Sequence, residues 1–126
     1  MPDKTPAQKM RIKPGASIAL LHAPAGLAGK LGLPHGTREV ADATAADVII
    51  EFASTQAEIE DRLPAVQRAM TPTSALWVVY PKGSKAAGLD ISRDTIWPLA
   101  ESLGMRPVGM VSIDGTWSGF RLKRGE

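Results

Sequence analysis

Lys82, Ser84, Asp114, Trp117 and Ser118 are the residues whose types and spacing could do chemistry. A lysine and two serines supply one cation and two hydroxyls, the set that holds a small anion or polar ligand, and an indole supplies an apolar wall. Pro24 and Ser54 would lie across the same crevice, and Arg93, before or at a helix start, would be a second cation. The same residues have a plainer explanation: Trp117 covers a sheet edge, Asp114 makes a turn, and Asp94 beside Arg93 complements a helix dipole.

These groups meet only if the elements carrying them end at one rim. Ser74 to Tyr80 is a near-continuous apolar run, the pattern of a strand buried on both faces, and Pro81 to Lys85 follows its carboxyl end. Open α/β sheets place ligands at such ends. Ser17 to Ala23 reads as the first buried strand and Thr37 to Val40 as a short second one. Asp47 to Ala53 reads as the third. Thr55-Gln56-Ala57-Glu58 has the form of a capping box, and Ile59, Leu63, Val66 and Met70 follow at helical spacing. Pro64 should kink that helix. Leu27 to Leu33 suggests a short helical turn. Ile96, Leu99 and Leu103 suggest a later helix ending at Gly104, and Pro98 favours Thr95 over Ser92 as its cap. Arg106 to Ile113 and Thr116 to Lys123 flank the hairpin signal Asp114-Gly115. Along the last strand Phe120 and Leu122 share one face, so Trp117 belongs on the other unless Ser118-Gly119 forms a bulge.

The alternation predicts an α/β fold: a Rossmann-like, mostly parallel sheet flanked by helices, with a C-terminal antiparallel hairpin. The expected organisation is a flexible tail over residues 1–13 and a single domain over 14–126, a length able to bury a core. The chain has no cysteine, which excludes disulfides and thiol catalysis and is compatible with a cytoplasmic location. Its polar N-terminus lacks the apolar region of a signal peptide, and no apolar run spans a membrane. The formal net charge is +2, with basic residues clustered at the two ends: Lys4, Lys9, Arg11 and Lys13, then Arg121, Lys123 and Arg124. Solvated ends account for this, and few aromatic residues are present to stack on bases, so nucleic acid is not the expected partner.

Other motifs fail on order. Lys82-Gly83-Ser84-Lys85 reverses the phosphate-loop sequence and reads as a flexible basic loop. Gly115-Thr116-Trp117-Ser118-Gly119 is not a serine nucleophile elbow. His22 ends a buried strand and reads as a hydrogen-bonded structural histidine. His35 and Glu39 stand four apart where Gly36 and Thr37 oppose a helix, so no metal site is expected.

Two resemblances add to this. Ala46 to Pro81 resembles the second half of a class I S-adenosylmethionine-dependent methyltransferase core, with an Asp-led strand, a helix, the turn Met70-Thr71-Pro72-Thr73-Ser74, and a strand ending in Pro-Lys. Lys13 to Arg124 resembles a bacterial domain-of-unknown-function family of short, methyltransferase-like proteins, through Lys13-Pro14-Gly15, Trp77 to Lys82, Arg93-Asp94, and Ile113 to Ser118. The resemblance implies a truncated methyltransferase core, one strand and one helix short. It also marks departures. Where the family has a Gly-x-Gly-x-Gly turn this chain reads His22-Ala23-Pro24-Ala25-Gly26-Leu27-Ala28-Gly29, without the first glycines. Asp42 stands roughly where a ribose-binding acidic residue would be. The expectation is a non-catalytic domain, with no required cofactor, binding a small polar or anionic ligand or a protein partner. The alternatives are a divergent S-adenosylmethionine-dependent methyltransferase and a homo-oligomeric interaction module using the hairpin edge.

Overall fold

The computed structural model describes residues 5–23, 26, 29, 31–71, 74–82 and 90–124. Its elements run α1 (Pro6–Lys9), β1 (Ser17–Leu21), β2 (Arg38–Glu39), a 3-10 turn (Ala43–Ala45), β3 (Val48–Phe52), α2 (Gln56–Ala69), β4 (Ala75–Pro81), α3 (Arg93–Ser102), β5 (Met105–Ser112) and β6 (Trp117–Arg124). The six strands form one sheet in the order β2-β1-β3-β4-β6-β5. β1 to β4 are parallel, and β6 pairs antiparallel with both β4 and β5. This is the predicted α/β sheet with its closing antiparallel pair.

Strand alternation divides the core. Ala19, Ile49, Leu76, Val78, Phe120 and Leu122 pack with Ile59, Leu63 and Ile96 on the face covered by α2 and α3. Ile18, Ile50, Phe52, Trp77 and Val79 pack on the other face with Ala7, Met10 and Leu31. Each fully buried aliphatic or aromatic side chain contributes about 1.5–3 kcal/mol. Trp117 packs against this second group, on the face opposite Phe120, as the alternation requires.

Two local expectations change. The segment read as a tail is, from Thr5, a capped helical turn. Thr5 Oγ1 accepts from Gln8 N–H at 3.2 Å, Gln8 Oε1 accepts from Thr5 N–H at 2.8 Å, and Ala7, Met10 and Ile12 are buried. Three apolar residues among many polar ones give too weak a periodicity to announce a helix of one turn. α3 starts at Arg93 with Ser92 as its cap, not Thr95, and continues through Pro98. The Thr95 hydroxyl instead accepts from Ser92 N–H at 2.8 Å. α2 is capped as predicted, with Glu58 Oε1 accepting from Thr55 N–H at 3.2 Å and Thr55 Oγ1 accepting from Glu58 N–H at 3.2 Å, and it runs through Pro64 for 14 residues. The predicted helical turn from Leu27 to Leu33 lies partly outside the described residues, at 27, 28 and 30, and the link at Ala86 to Gly88 lies wholly outside them. No helix among the described residues is long and apolar enough to cross a membrane.

Candidate functional site

The sheet separates the residues that the sequence grouped. Lys82 N–H donates to the Thr116 carbonyl at 2.7 Å, and its ammonium donates to the Ser112 hydroxyl. Ser112 faces Ser118 in register, and Ser118, 8% exposed, faces Tyr80. Arg93 and Asp94 act on Tyr80 from the start of α3, while burial is the main influence that raises the phenol's pKa. Lys82, Ser118 and Arg93 therefore belong to one neighbourhood, organised around Ser112 and Tyr80, which sequence reasoning did not single out. Trp117 lies on the opposite face. Asp114 makes the turn: its Oδ1 accepts from Thr116 N–H at 2.7 Å and Trp117 N–H at 2.8 Å. Pro24 and Ser84 lie outside the described residues.

A second constellation stands at the carboxyl ends of β1 and β3, where Leu21 and Glu51 are partners in register. The Glu51 side chain is 1% exposed, and its Oε2 lies 2.9 Å from His22 Nδ1. With the carboxyl group accepting, Nδ1 carries the proton and Nε2 is left open. Glu51 Oε1 is buried without a hydrogen-bond partner among the described residues. Burial, the largest influence, raises this carboxyl above its ordinary range, against the lowering effects of His22 and Arg62. His22 has φ 61°, a left-handed conformation that few residues other than glycine adopt. It occupies the first position of the turn where the methyltransferase pattern has glycine.

α2 supplies the remaining groups. Arg62 Nη1 donates to the Phe52 carbonyl at 2.9 Å and Nη2 lies 3.5 Å from Glu58 Oε2. Glu58 Oε1 accepts from Ser54 N–H at 2.7 Å, the main reason its pKa is lowered. A cavity of about 350 Å³ between β1 and α2 is lined by Leu21, His22, Glu51, Asp61, Arg62 and Val66, among others. A smaller one of about 110 Å³ adjoins His22, Ser54, Glu58 and Arg62. Asp42 is not free to act alone, since its Oδ1 accepts from Thr44 N–H at 2.9 Å and Thr44 Oγ1–H at 2.7 Å.

Glu51 was missed as a site residue because it lies inside a strand read for its apolar content. The signal was an acidic residue in the run Val48 to Ala53, since carboxylates are rarely buried without a partner or a role. The raised pKa has a definite sign. Glu51 favours the folded state most when protonated, and that contribution is lost as pH rises through its folded-state value. Glu51→Gln is expected to raise the melting temperature at neutral pH by about 3–5 °C. The difference should vanish in acid near the ordinary carboxyl value of 4.5, measured by calorimetry across pH.

The sheet order and closing antiparallel pair define a class I methyltransferase-like fold. The chain is similar to the solved structure of mitomycin 7-O-methyltransferase, with a TM-score of 0.65 and 16% identity over 88% of this chain and 49% of that one. It is also similar to an S-adenosylmethionine-dependent methyltransferase from Aquifex aeolicus, with a TM-score of 0.63 and 12% identity over 93% and 88% of the two chains. A TehB-like methyltransferase from Corynebacterium glutamicum gives 0.54 and 12% over 93% and 84%. The chain thus spans about half the length of the mitomycin enzyme. At these identities the likeness is one of fold. No family model and no curated protein sequence matches the chain.

Proposed function

We propose that this chain is a divergent S-adenosylmethionine-binding domain of methyltransferase type, with its ligand at the carboxyl ends of β1 and β3. The observation that carries the reading is the buried Glu51 oxygen without a partner, beside His22, at the end of a parallel sheet where ligands bind. The fold supports this reading over a non-catalytic one.

The described groups fit that cofactor in charge. Glu51, Glu58 and Asp61 against Arg62 line the two cavities, an acceptor-rich set suited to an ammonium, ribose hydroxyls and a sulfonium. When bound, the cofactor supplies an electrophilic methyl group. Glu51 holds the His22 ring through Nδ1–H, which leaves Nε2 to accept a proton from a hydroxyl or amine. Arg62, tied to the Phe52 carbonyl, fixes α2 against the end of β3.

Isothermal titration of the full chain tests the reading. S-adenosylmethionine is expected to bind about 3–10-fold more tightly than S-adenosylhomocysteine, which lacks the sulfonium charge, because that charge faces carboxylates. Glu51→Gln should weaken binding about tenfold. No heat and no thermal shift at millimolar cofactor would remove the proposal, since a ligand at 100 times its dissociation constant adds about 2.7 kcal/mol.

A second reading, a ligand-binding domain without transfer, draws on the imidazole and Cβ of His22 at a position where glycine lets the backbone approach a cofactor. Binding without transfer of a labelled methyl group would favour it.

A further inference from the structure

Four of the basic residues that the sequence places at the chain's two ends, Lys9, Arg11, Lys13 and Arg121, come together in the fold. β6 carries Arg121 beside β4, where it is the register partner of Trp77. Both side chains point to the face that α1 covers. Lys9 and Arg11 arrive there from the other end of the chain, and Lys9 Nζ donates to the Ser112 carbonyl at 3.3 Å, which ties this segment to β5. Lys9, Arg11, Trp77 and Arg121 line a hollow of about 280 Å³. Arg11 and Arg121 also line an adjoining hollow of about 530 Å³, to which Lys13 contributes.

The hydrogen-bond ledger of this place is one-sided. Trp77 is 4% exposed, and its indole Nε1–H is buried without an acceptor among the described residues. The Nε–H of Arg121 is buried without one too. Among the described residues no acidic side chain lines the smaller hollow. Asp47 lines the larger one, where its Oδ2 accepts from Ser17 N–H at 3.1 Å. Arg11 adopts φ 61°, a strained conformation for an arginine. Buried donors in native proteins are nearly always satisfied, and two on adjacent strands beside exposed cations lack only an acceptor.

We propose that this hollow is an oxyanion site for the phosphate or diphosphate group of a small ligand. Trp77 Nε1–H and Arg121 Nε–H are its deep donors, and Lys9 and Arg11 close its mouth. A phosphate carries enough acceptor oxygens to meet all four groups at once, and guanidinium groups match its geometry. The site is separate from the His22–Glu51 crevice. The larger hollow borders the starts of β3 and β4 at Val48 and Ala75, whereas the crevice lies at the strands' carboxyl ends.

The test is a titration of the isotope-labelled full chain with pyrophosphate and, separately, with ADP at constant ionic strength. The readout is the indole N–H resonance of Trp77, assigned with Trp77→Phe. The expected result is a saturable shift of that resonance, with binding weakened about tenfold in Arg11→Gln and in Arg121→Gln. The exposed Arg106→Gln, an equal change of charge, should bind as the parent does. Should Arg121→Gln not fold, the double variant Lys9→Gln/Arg11→Gln, changed only at exposed positions, carries the same expectation. ADP binding more tightly than pyrophosphate would assign the phosphate to a nucleotide, and equal binding to a free phosphate. The proposal is overturned by no saturable shift up to about 10 mM of either probe. An equal shift from sodium chloride, or unweakened binding in the arginine variants, would overturn it as well.

Discussion

Replacing His22 with alanine is expected to lower the unfolding free energy by about 1–3 kcal/mol at neutral pH. The variant removes the imidazole N–H from a carboxyl group whose side chain is 1% exposed, yet leaves a non-glycine residue at φ 61°. Glu51 then has to be buried with weaker compensation when ionised. The sign follows from its raised pKa. The loss is largest above the folded-state value and fades as acid protonates the carboxyl. Urea unfolding at mildly acidic and at neutral pH separates this from a general packing defect, which would cost the same at both. His22→Asn, which tolerates the left-handed conformation and keeps an N–H donor, is expected to recover much of the stability. If the proposed function holds, S-adenosylmethionine binding falls in the alanine variant and returns in part with asparagine.

The other large effect is structural. Phe120→Ala should cost about 3–5 kcal/mol, a large share of the roughly 5–15 kcal/mol that holds a domain of this size together. Phe120 is 2% exposed on β6, between Val78 and Met110 in register, with its ring centroid 6.2 Å from that of Trp97. Among the described strands β5 joins the sheet through β6, so a cavity here loosens the edge that carries Ser112. Urea unfolding should show the loss, and amide exchange should show it first in β5. Met110→Ala, across the register at a residue 41% exposed, should cost far less.

Stability and the candidate chemistry meet at the end of β3. Phe52 and Glu51 are adjacent and point to opposite faces, one into the core beneath α1, the other toward α2 and the crevice. The apolar run that makes β3 a strand thus also carries a carboxyl into a nearly fully buried place at the wall of the crevice. Its raised pKa follows from that burial, beside the left-handed backbone of His22 and the cavity that both residues line.

The amino-acid sequence by itself determined the elements. Alternation and apolar runs marked the buried strands, Thr55 with Glu58 marked the start of α2, and Asp114-Gly115 marked the hairpin, because these signals act over a few residues of chain. Parity also placed Trp117 opposite Phe120. The first site residues were chosen by type along β4 and the hairpin, and only the sheet shows that Trp117 and Lys82 are parted by it. His22 meets Glu51 because β1 and β3 pair in a register that brings residues 29 apart together. Trp77, Arg121 and the basic N-terminal segment meet because β6 returns beside β4 and α1 folds under the sheet. Such contacts depend on strand order and on which face a side chain takes. Nothing local encodes them, so tertiary structure alone decided which charged groups became neighbours and which were left buried without a partner.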